Sequence, residues 1–475
     1  MQIRESQAIP QVAVNRPWPF SLPPRLLLFP LVVTVQLAAS ALGGIGFVFN
    51  NAPPAMLSGT VLWLGWFAGV FLVASPQTDR ILMRRVPWLA PTAISIFIAL
   101  GALGAGEICL FASKFTMLGE SQLMDAFHRG FAYNDATALA HQATDNFLKG
   151  ENPYANPNIV TALLAHNGAS DRTTPRREGE FALVFPYPTP AQLNKVWNEA
   201  LQNNDKPPPE LETRMNYPAG AFELPAPFIW AGLKDLRWIY LIFAVLGVAA
   251  AAWLCPPKLR WGFVAAVAIS LAFWNSVASG ETGSLAFPFM LLGWVLARKH
   301  PLPSAVFMGV AVSIKQTAWF LAPFYLIWML RSMGAKRAFL AASTMAGVFA
   351  ATNLPFMVHN PGLWISSMGA PMSENFFPLG VGVISIVTSG LVKILSPTPF
   401  MVMEVAVYVA GAAWYFFNCK RYPHAGPVLA FFPLFFAWRS LWSYFFYIDI
   451  IVLAAILIDE YYGNQAYKGQ LTQTK

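Results

Sequence analysis

Residues 303–330 read PSAVFMGVAVSI, then KQ, then TAWFLAPFYLIWML. Two apolar runs, 303–314 and 317–330, thus flank Lys315-Gln316. Each run makes roughly 20 Å of helix at about 1.5 Å per residue, which is shorter than the hydrocarbon core of a bilayer. Paired short helices that meet inside a membrane often border a cavity, because irregular backbone there needs protein or water to satisfy it.

The composition around this pair points the same way. Of the 475 residues, 56% are hydrophobic and 11% are charged, against roughly 25% charged in an ordinary soluble domain. The 31 basic and 23 acidic side chains cannot cover a soluble surface of this size. An ordinary soluble enzyme, a disordered chain and a disulfide scaffold are excluded. The expected fold is an all-α polytopic membrane protein. Cys109, Cys255 and Cys419 lie at the ends of apolar runs with no metal spacing and no obvious pairing.

Spanning takes about 20 apolar residues per helix. Candidate crossings are 26–48, 57–75, 88–111, 238–255, 261–278, 284–297, 303–314, 317–330, 338–358, 399–418, 427–442 and 444–459. Basic residues mark five short loops: Arg80, Arg84 and Arg85; Lys258 and Arg260; Arg298 and Lys299; Arg331, Lys336 and Arg337; Lys420 and Arg421. With 12 crossings and the N-terminus inside, all five fall on the cytoplasmic side. The tails 1–24 and 460–475 are then cytoplasmic, 25–111 carries three crossings, and 238–459 carries the rest with an outer loop at 359–398. Counting the apolar run 379–395 as a crossing would put Lys420 and Arg421 outside, so it reads as an interfacial or re-entrant helix. The expected location is a plasma membrane.

Segment 112–237 is too polar to be embedded and falls outside. It holds 11 basic and 14 acidic residues, leaving 20 and 9 for the rest of the chain. The net charge of +8 therefore follows the positive-inside bias, and no nucleic-acid motif is present. Ala136, Leu139, Ala140, Ala143, Phe147 and Leu148 recur at helical spacing over 134–149, and Gly150 ends that run. A second amphipathic helix is expected over 190–203, with loops at 170–179 and Pro207-Pro208-Pro209.

Ionisable groups in or beside apolar runs are few: Glu107, Glu281, Lys315, Glu404, Arg439 and Asp449. Each is expensive in lipid unless it faces a cavity or a partner. Glu107, Glu281, Lys315 and Arg439 fall toward the outer half. The outer loops add Asp125, Arg129, Asp135 and Asp145, then His359 and Glu374. This one-sided concentration suits chemistry at the outer interface. The residues also have structural readings. Asp135 fits a helix N-terminus favoured by the macrodipole. Arg439 could pair with Asp449 or Glu404, Lys315 could snorkel, Glu281 could cap a turn, and His359 could cap a helix end. Tyr154 reads as loop packing.

Asn134-Asp135 and the helix after them, running on to Gly150-Glu151-Asn152-Pro153-Tyr154, resemble the first outer loop of glycosyltransferase C-superfamily enzymes. The later order is similar to glycosyltransferase family 87. Tyr217-Pro218 with Leu224-Pro225 resembles that family's Tyr-Pro-Pro segment. Gly280-Glu281-Thr282-Gly283 stands where a Gly-Gln-x-Asn turn is usual, and Gly309 followed by Lys315 resembles the family's Gly, helix, Lys, helix unit. Trp438-Arg439-Ser440, with Tyr444 following, stands where a polar turn opens the final helix. The chain departs in having two extra leading crossings, a long first loop and no Asp-x-Asp at Asp135.

The resemblance implies an inverting hexosyltransferase, mannosyltransferase-like. It would use a polyprenyl-phosphate sugar and a lipid, glycan or protein acceptor within membrane lipid. Asp135 is the implied base, Lys315 and Arg439 the phosphate ligands, and Arg129, Glu281 and His359 further substrate contacts. The sequence specifies no cofactor. A divalent metal stays open, although no second acidic ligand stands at an obvious spacing from Asp135. A transporter or flippase of lipid-linked sugars is the alternative, and a non-catalytic envelope membrane protein a third.

Overall fold

The computed structural model of the chain describes residues 23–48, 52–83, 85–112, 133–203 and 206–459. The tail residues 1–22 and 460–475, and with them Arg84, Asp125 and Arg129, lie outside the described residues. Among the described residues seven helices are long and apolar enough to cross a membrane: Pro24–Gly44, Pro53–Ala74, Pro87–Cys109, Leu236–Leu254, Ala335–His359, Thr398–Asn418 and Trp442–Asp459. Arg260–Ala268 and Leu271–Ala278 make an eighth if the 65° bend between them is a break within one span. Shorter apolar helices at Thr282–Leu296, Pro301–Ile314 and Pro423–Phe436, together with Thr317–Met333, complete an all-α, multi-pass membrane protein. Trp442–Asp459 is mostly buried and forms the centre, whereas Ala335–His359 and Thr398–Asn418 are exposed along most of their length.

Two helix breaks share one device. The break after Ala268 is met by the Trp274 indole, whose Nε1 donates to the Val267 carbonyl at 2.9 Å. The break after Ile314 is met by Trp319, whose Nε1 donates to the Val312 carbonyl at 2.8 Å. In each case an indole seven residues on donates to a carbonyl in the last turn before the break, and the Val267 carbonyl also accepts from the Ser270 N–H at 3.0 Å. Close approach completes the packing of the second pair. A Cβ on Gly309 would stand 3.2 Å from the Met345 Cα on the Ala335–His359 helix, so only glycine fits without a shift.

Contacts between connecting segments sort into two poles. At one pole Thr60 Oγ1 donates to the Val381 carbonyl at 2.9 Å, and the Ala219 N–H donates to Asn353 Oδ1 at 2.9 Å. At the same pole Arg176 pairs with Glu374. At the other, Arg25 pairs with Asp79 at 2.5 Å and Arg298 approaches Asp459 at 3.9 Å. Segment 133–237 belongs wholly to the first pole. Its two longest helices run Asp135–Leu148 and Pro190–Gln202, close to the expected 134–149 and 190–203. The second starts in a reciprocal capping box between Thr189 and Gln192.

Three expectations need correction. Segment 379–395 is not one interfacial helix. Leu379–Gly380 pairs in parallel with Arg439–Ser440, and only Ser385–Thr388 is helical. Its apolar residues face Phe400 and Trp438 rather than forming a continuous helical stripe. The run 427–442 is helical only across Pro423–Phe436, because the chain turns extended at Ala437 to form that strand pair. The run 261–278 bends where Ser270 leaves helical geometry.

Gly380 has φ 137°, and a Cβ there would collide with the Ser440 carbonyl. Gly380→Ala should cost about 2–4 kcal/mol through strain and overpacking. Thermal unfolding in detergent should show Tm falling by several degrees. Gly362→Ala, where no atom comes closer than 4.0 Å to the new Cβ, should leave it near wild type.

Candidate functional site

The helix Asp135–Leu148 begins at Asn134. The Asn134 side-chain oxygen accepts from the Thr137 N–H at 2.8 Å and from Thr137 Oγ1 at 2.9 Å. Asp135 opens the helix, and its Oδ1 accepts from the Ala136 N–H at 2.8 Å. This is the arrangement the macrodipole favours for a carboxylate. It also locks the side chain onto a rigid element. The helix start docks on the turn Gly280-Glu281-Thr282-Gly283. Thr137 Oγ1 donates to the Gly280 carbonyl, and Asn134 Nδ2 donates to Glu281 Oε1 at 3.3 Å. Gly280 has φ 80°, which suits glycine.

Lys315 enters the same site from the helix break. Pro301–Ile314 ends there, and Lys315 takes an extended backbone with φ −148° and ψ 139°. Gln316 turns outward and donates through Nε2 to the Asn216 carbonyl, which ties the break to segment 133–237. Lys315 is only 4% exposed. Its ammonium lies 5.3 Å from the Tyr217 ring centre and 5.8 Å from that of Tyr444. A Cβ on Gly283 would stand 3.7 Å from Nζ, so the glycine leaves room beside the ammonium. Lys315 forms no ion pair among the described residues. Glu281 and Asp135 act on it electrostatically from beyond ion-pair distance.

Arg439 stands at the edge of this group. Its guanidinium lies 4.8 Å from the Phe376 ring centre, and Nη2 reaches Thr174 Oγ1 at 3.5 Å. Nη1 is buried with no hydrogen-bond partner among the described residues. No ion pair joins Arg439 to Asp449 or Glu404 among the described residues. Tyr444 and Tyr187 each face both Arg439 and Asp135 electrostatically. The structure therefore gathers Asp135, Glu281, Lys315 and Arg439 around Tyr444 at one pole. Arg129 lies outside the described residues. His359 is the exposed last residue of the Ala335–His359 helix and takes no part in the cluster. Tyr154 packs on Phe222 and Phe356, and its hydroxyl donates to the Tyr217 carbonyl at 3.0 Å.

Several site residues carry no local signature in the sequence. Tyr217 and Tyr444 bracket the lysine, and only their places in the family-like segments mark them. Glu212 looked like one loop acid among fourteen. It is 3% exposed, with Oε1 accepting from the Arg214 N–H at 2.6 Å and Oε2 buried without a partner. Burial raises its carboxyl to about 7, assisted by Glu374 and Asp135 against the opposing pull of Arg176. Glu374 is held by Arg176 and, at 3.1 Å, by Arg214, so it braces the strands beside Arg439.

A separate recess of about 540 Å3 is lined by Tyr133, His141, Asp145, His166, Asp235 and Arg237. His166 stacks on Tyr133 at 4.1 Å and on His141 at 4.5 Å. Burial and then the neighbouring His141 push His166 down to about 4. Among the described residues no three His, Cys, Asp or Glu side chains are grouped to hold a metal ion.

No family model, no curated protein and no solved structure matches the chain.

An acid whose pKa is raised by folding lowers stability as pH climbs from its ordinary value to the raised one, for Glu212 from 4.5 to about 7. Glu212→Gln should unfold near the wild-type temperature at pH 4 and at a higher temperature than wild type at pH 8. Intrinsic fluorescence during heating reads both.

Proposed function

We propose that the chain is an inverting membrane glycosyltransferase similar to glycosyltransferase family 87. It would transfer a hexose, mannose-like, from a polyprenyl-phosphate sugar to a lipid, glycan or protein acceptor. One observation carries this reading: a buried lysine without an ion-pair partner, bracketed by Tyr217 and Tyr444, shares a pole with the carboxylate of Asp135. A buried cation that makes no direct ion pair with Glu281 or Asp135 is open to an anionic ligand. A nearby carboxylate on a rigid helix start is what an attacking hydroxyl needs.

The chemistry follows from those roles. Asp135 accepts the proton of the acceptor hydroxyl as its oxygen bonds to the anomeric carbon. The bond from that carbon to the phosphate oxygen breaks, and the electron pair leaves with the polyprenyl phosphate. Lys315 and Arg439 stabilise the charge that develops there, Arg439 through its open Nη1. Glu281, bonded to Asn134, is suited to a sugar hydroxyl. In the twelve-crossing topology this pole is the outer face of the plasma membrane, and both termini are cytoplasmic.

Membranes carrying the protein and a radiolabelled polyprenyl-phosphate hexose provide the test. Asp135→Asn should lower transfer by roughly 10²–10⁴-fold, the usual range for a general base. Lys315→Met should lower kcat/KM at least as strongly, while Lys149→Met on the exposed end of the same helix should not. Unchanged transfer in Asp135→Asn overturns the assignment of the base, and no transfer by the wild type above membranes lacking the protein favours a carrier of lipid-linked sugars.

A further inference from the structure

An apolar lobe stands beside the candidate site. In the stretch 181–188 Phe181 is buried, whereas Leu183 is 97% exposed. Phe185 turns back and packs with Ile394 on the cluster of Ile384, Val387, Phe400 and Trp438. The neighbouring stretch 391–395 exposes Leu391, Val392 and Leu395. Two cations border the lobe. Lys393 Nζ lies 5.8 Å from the Phe185 ring centre, and Arg177 Nη1 donates to the Leu395 carbonyl at 2.8 Å. Four exposed large aliphatic side chains on two adjoining loops are an unfavourable surface for water.

The height of this lobe in the membrane is fixed by its neighbour. Phe400 belongs to the helix Thr398–Asn418, whose 21 residues span about 31 Å. That equals the hydrocarbon thickness, so the helix must start at the hydrocarbon edge. Val402, Val405 and Val409 are exposed on it and continue the apolar surface of the lobe. Residues 391–397 immediately precede that helix, so they lie at the boundary between acyl chains and headgroups. Phe185 packs at the same level and holds Leu183 there.

We propose that residues 182–185 and 391–395 form a wedge inserted into the interfacial layer of the bilayer, with Lys393 and Arg177 at the lipid phosphates. Continuity with a lipid-facing span identifies the occupant as bilayer lipid. The paired cations match the headgroup charge, as for interfacial elements generally. The inference does not depend on the catalytic reading. Tyr187, two residues beyond Phe185, faces Arg439 and Asp135, so the wedge holds that site at the membrane edge.

Spin labels test the placement in liposomes of phosphatidylcholine and phosphatidylglycerol. The background replaces Cys109, Cys255 and Cys419 by alanine, and labels go on Leu183→Cys, Val392→Cys and, as a solvent control, Lys195→Cys. At 183 and 392 collisions with oxygen should exceed those with a polar nickel chelate, and at 195 the order should reverse. The solvent pattern at 183 overturns the proposal. So do low collisions with both probes that rise when the protein is diluted in detergent, which would mark a protein contact. The unmodified protein offers a second reading, should the cysteine-free background fold poorly. A diazirine phospholipid reactive near its headgroup should label peptides containing 182–185 and 391–395. Labelling of 398–418 without either overturns the proposal.

Discussion

A helix that stops inside an apolar bundle leaves backbone groups that no water can reach, and the protein must satisfy them itself. The break between Ile314 and Thr317 is where this constraint acts most strongly. Trp319 meets the Val312 carbonyl from one side. From the other, Gln316 reaches the Asn216 carbonyl and Asn353 holds the Ala219 N–H. These bonds join three helices to the long polar segment. The segment is therefore part of the bundle's construction at that pole, and not an appendage to it.

The same break sets the electrostatics. An extended residue at a helix end can carry its side chain into a pocket that a helical residue would point across. Lys315 uses that freedom to place its ammonium between two tyrosine rings. Aromatic faces lessen the desolvation of a cation but do not neutralise it. Glu281 and Asp135 are held close enough to act on the ammonium, yet each is restrained by its own bonds to Asn134 and Ala136. Arg439 is kept apart by a different device. Its backbone is paired with Leu379–Gly380, which fixes the guanidinium over Phe376.

Helices that depend on local pattern were legible in the sequence. The periodic face of 134–149 ended by Gly150 and the amphipathic run 190–203 are local signals, and they place those helices within a residue or two. What failed was non-local. Segment 379–395 is apolar for the sake of Phe400 and Trp438 and pairs with a strand some sixty residues later, which no periodicity reports. The twelve apolar runs were visible, but among the described residues seven or eight helices have the length to cross, because bends and short helices look alike in hydropathy. In the site, Asp135, Lys315, Glu281 and Arg439 stood out because charge is rare in this chain. Tyr217 and Tyr444 did not, because aromatics are common in it. Glu212 was hidden among ordinary loop acids, since burial is a property of the fold and not of the residue.

The lack of a direct ion pair at Lys315 among the described residues has a thermodynamic consequence. A folded chain that buries a cation out of direct contact with its carboxylates gives up stability that an anion bound against it returns in part. Occupancy and folding are then coupled, and stability grows with the logarithm of free ligand above its dissociation constant. The melting temperature of the purified protein becomes a reporter of its own ligand. Anions that fit beside Tyr217 and Tyr444 can be ranked by how far they shift it, before any reaction is known.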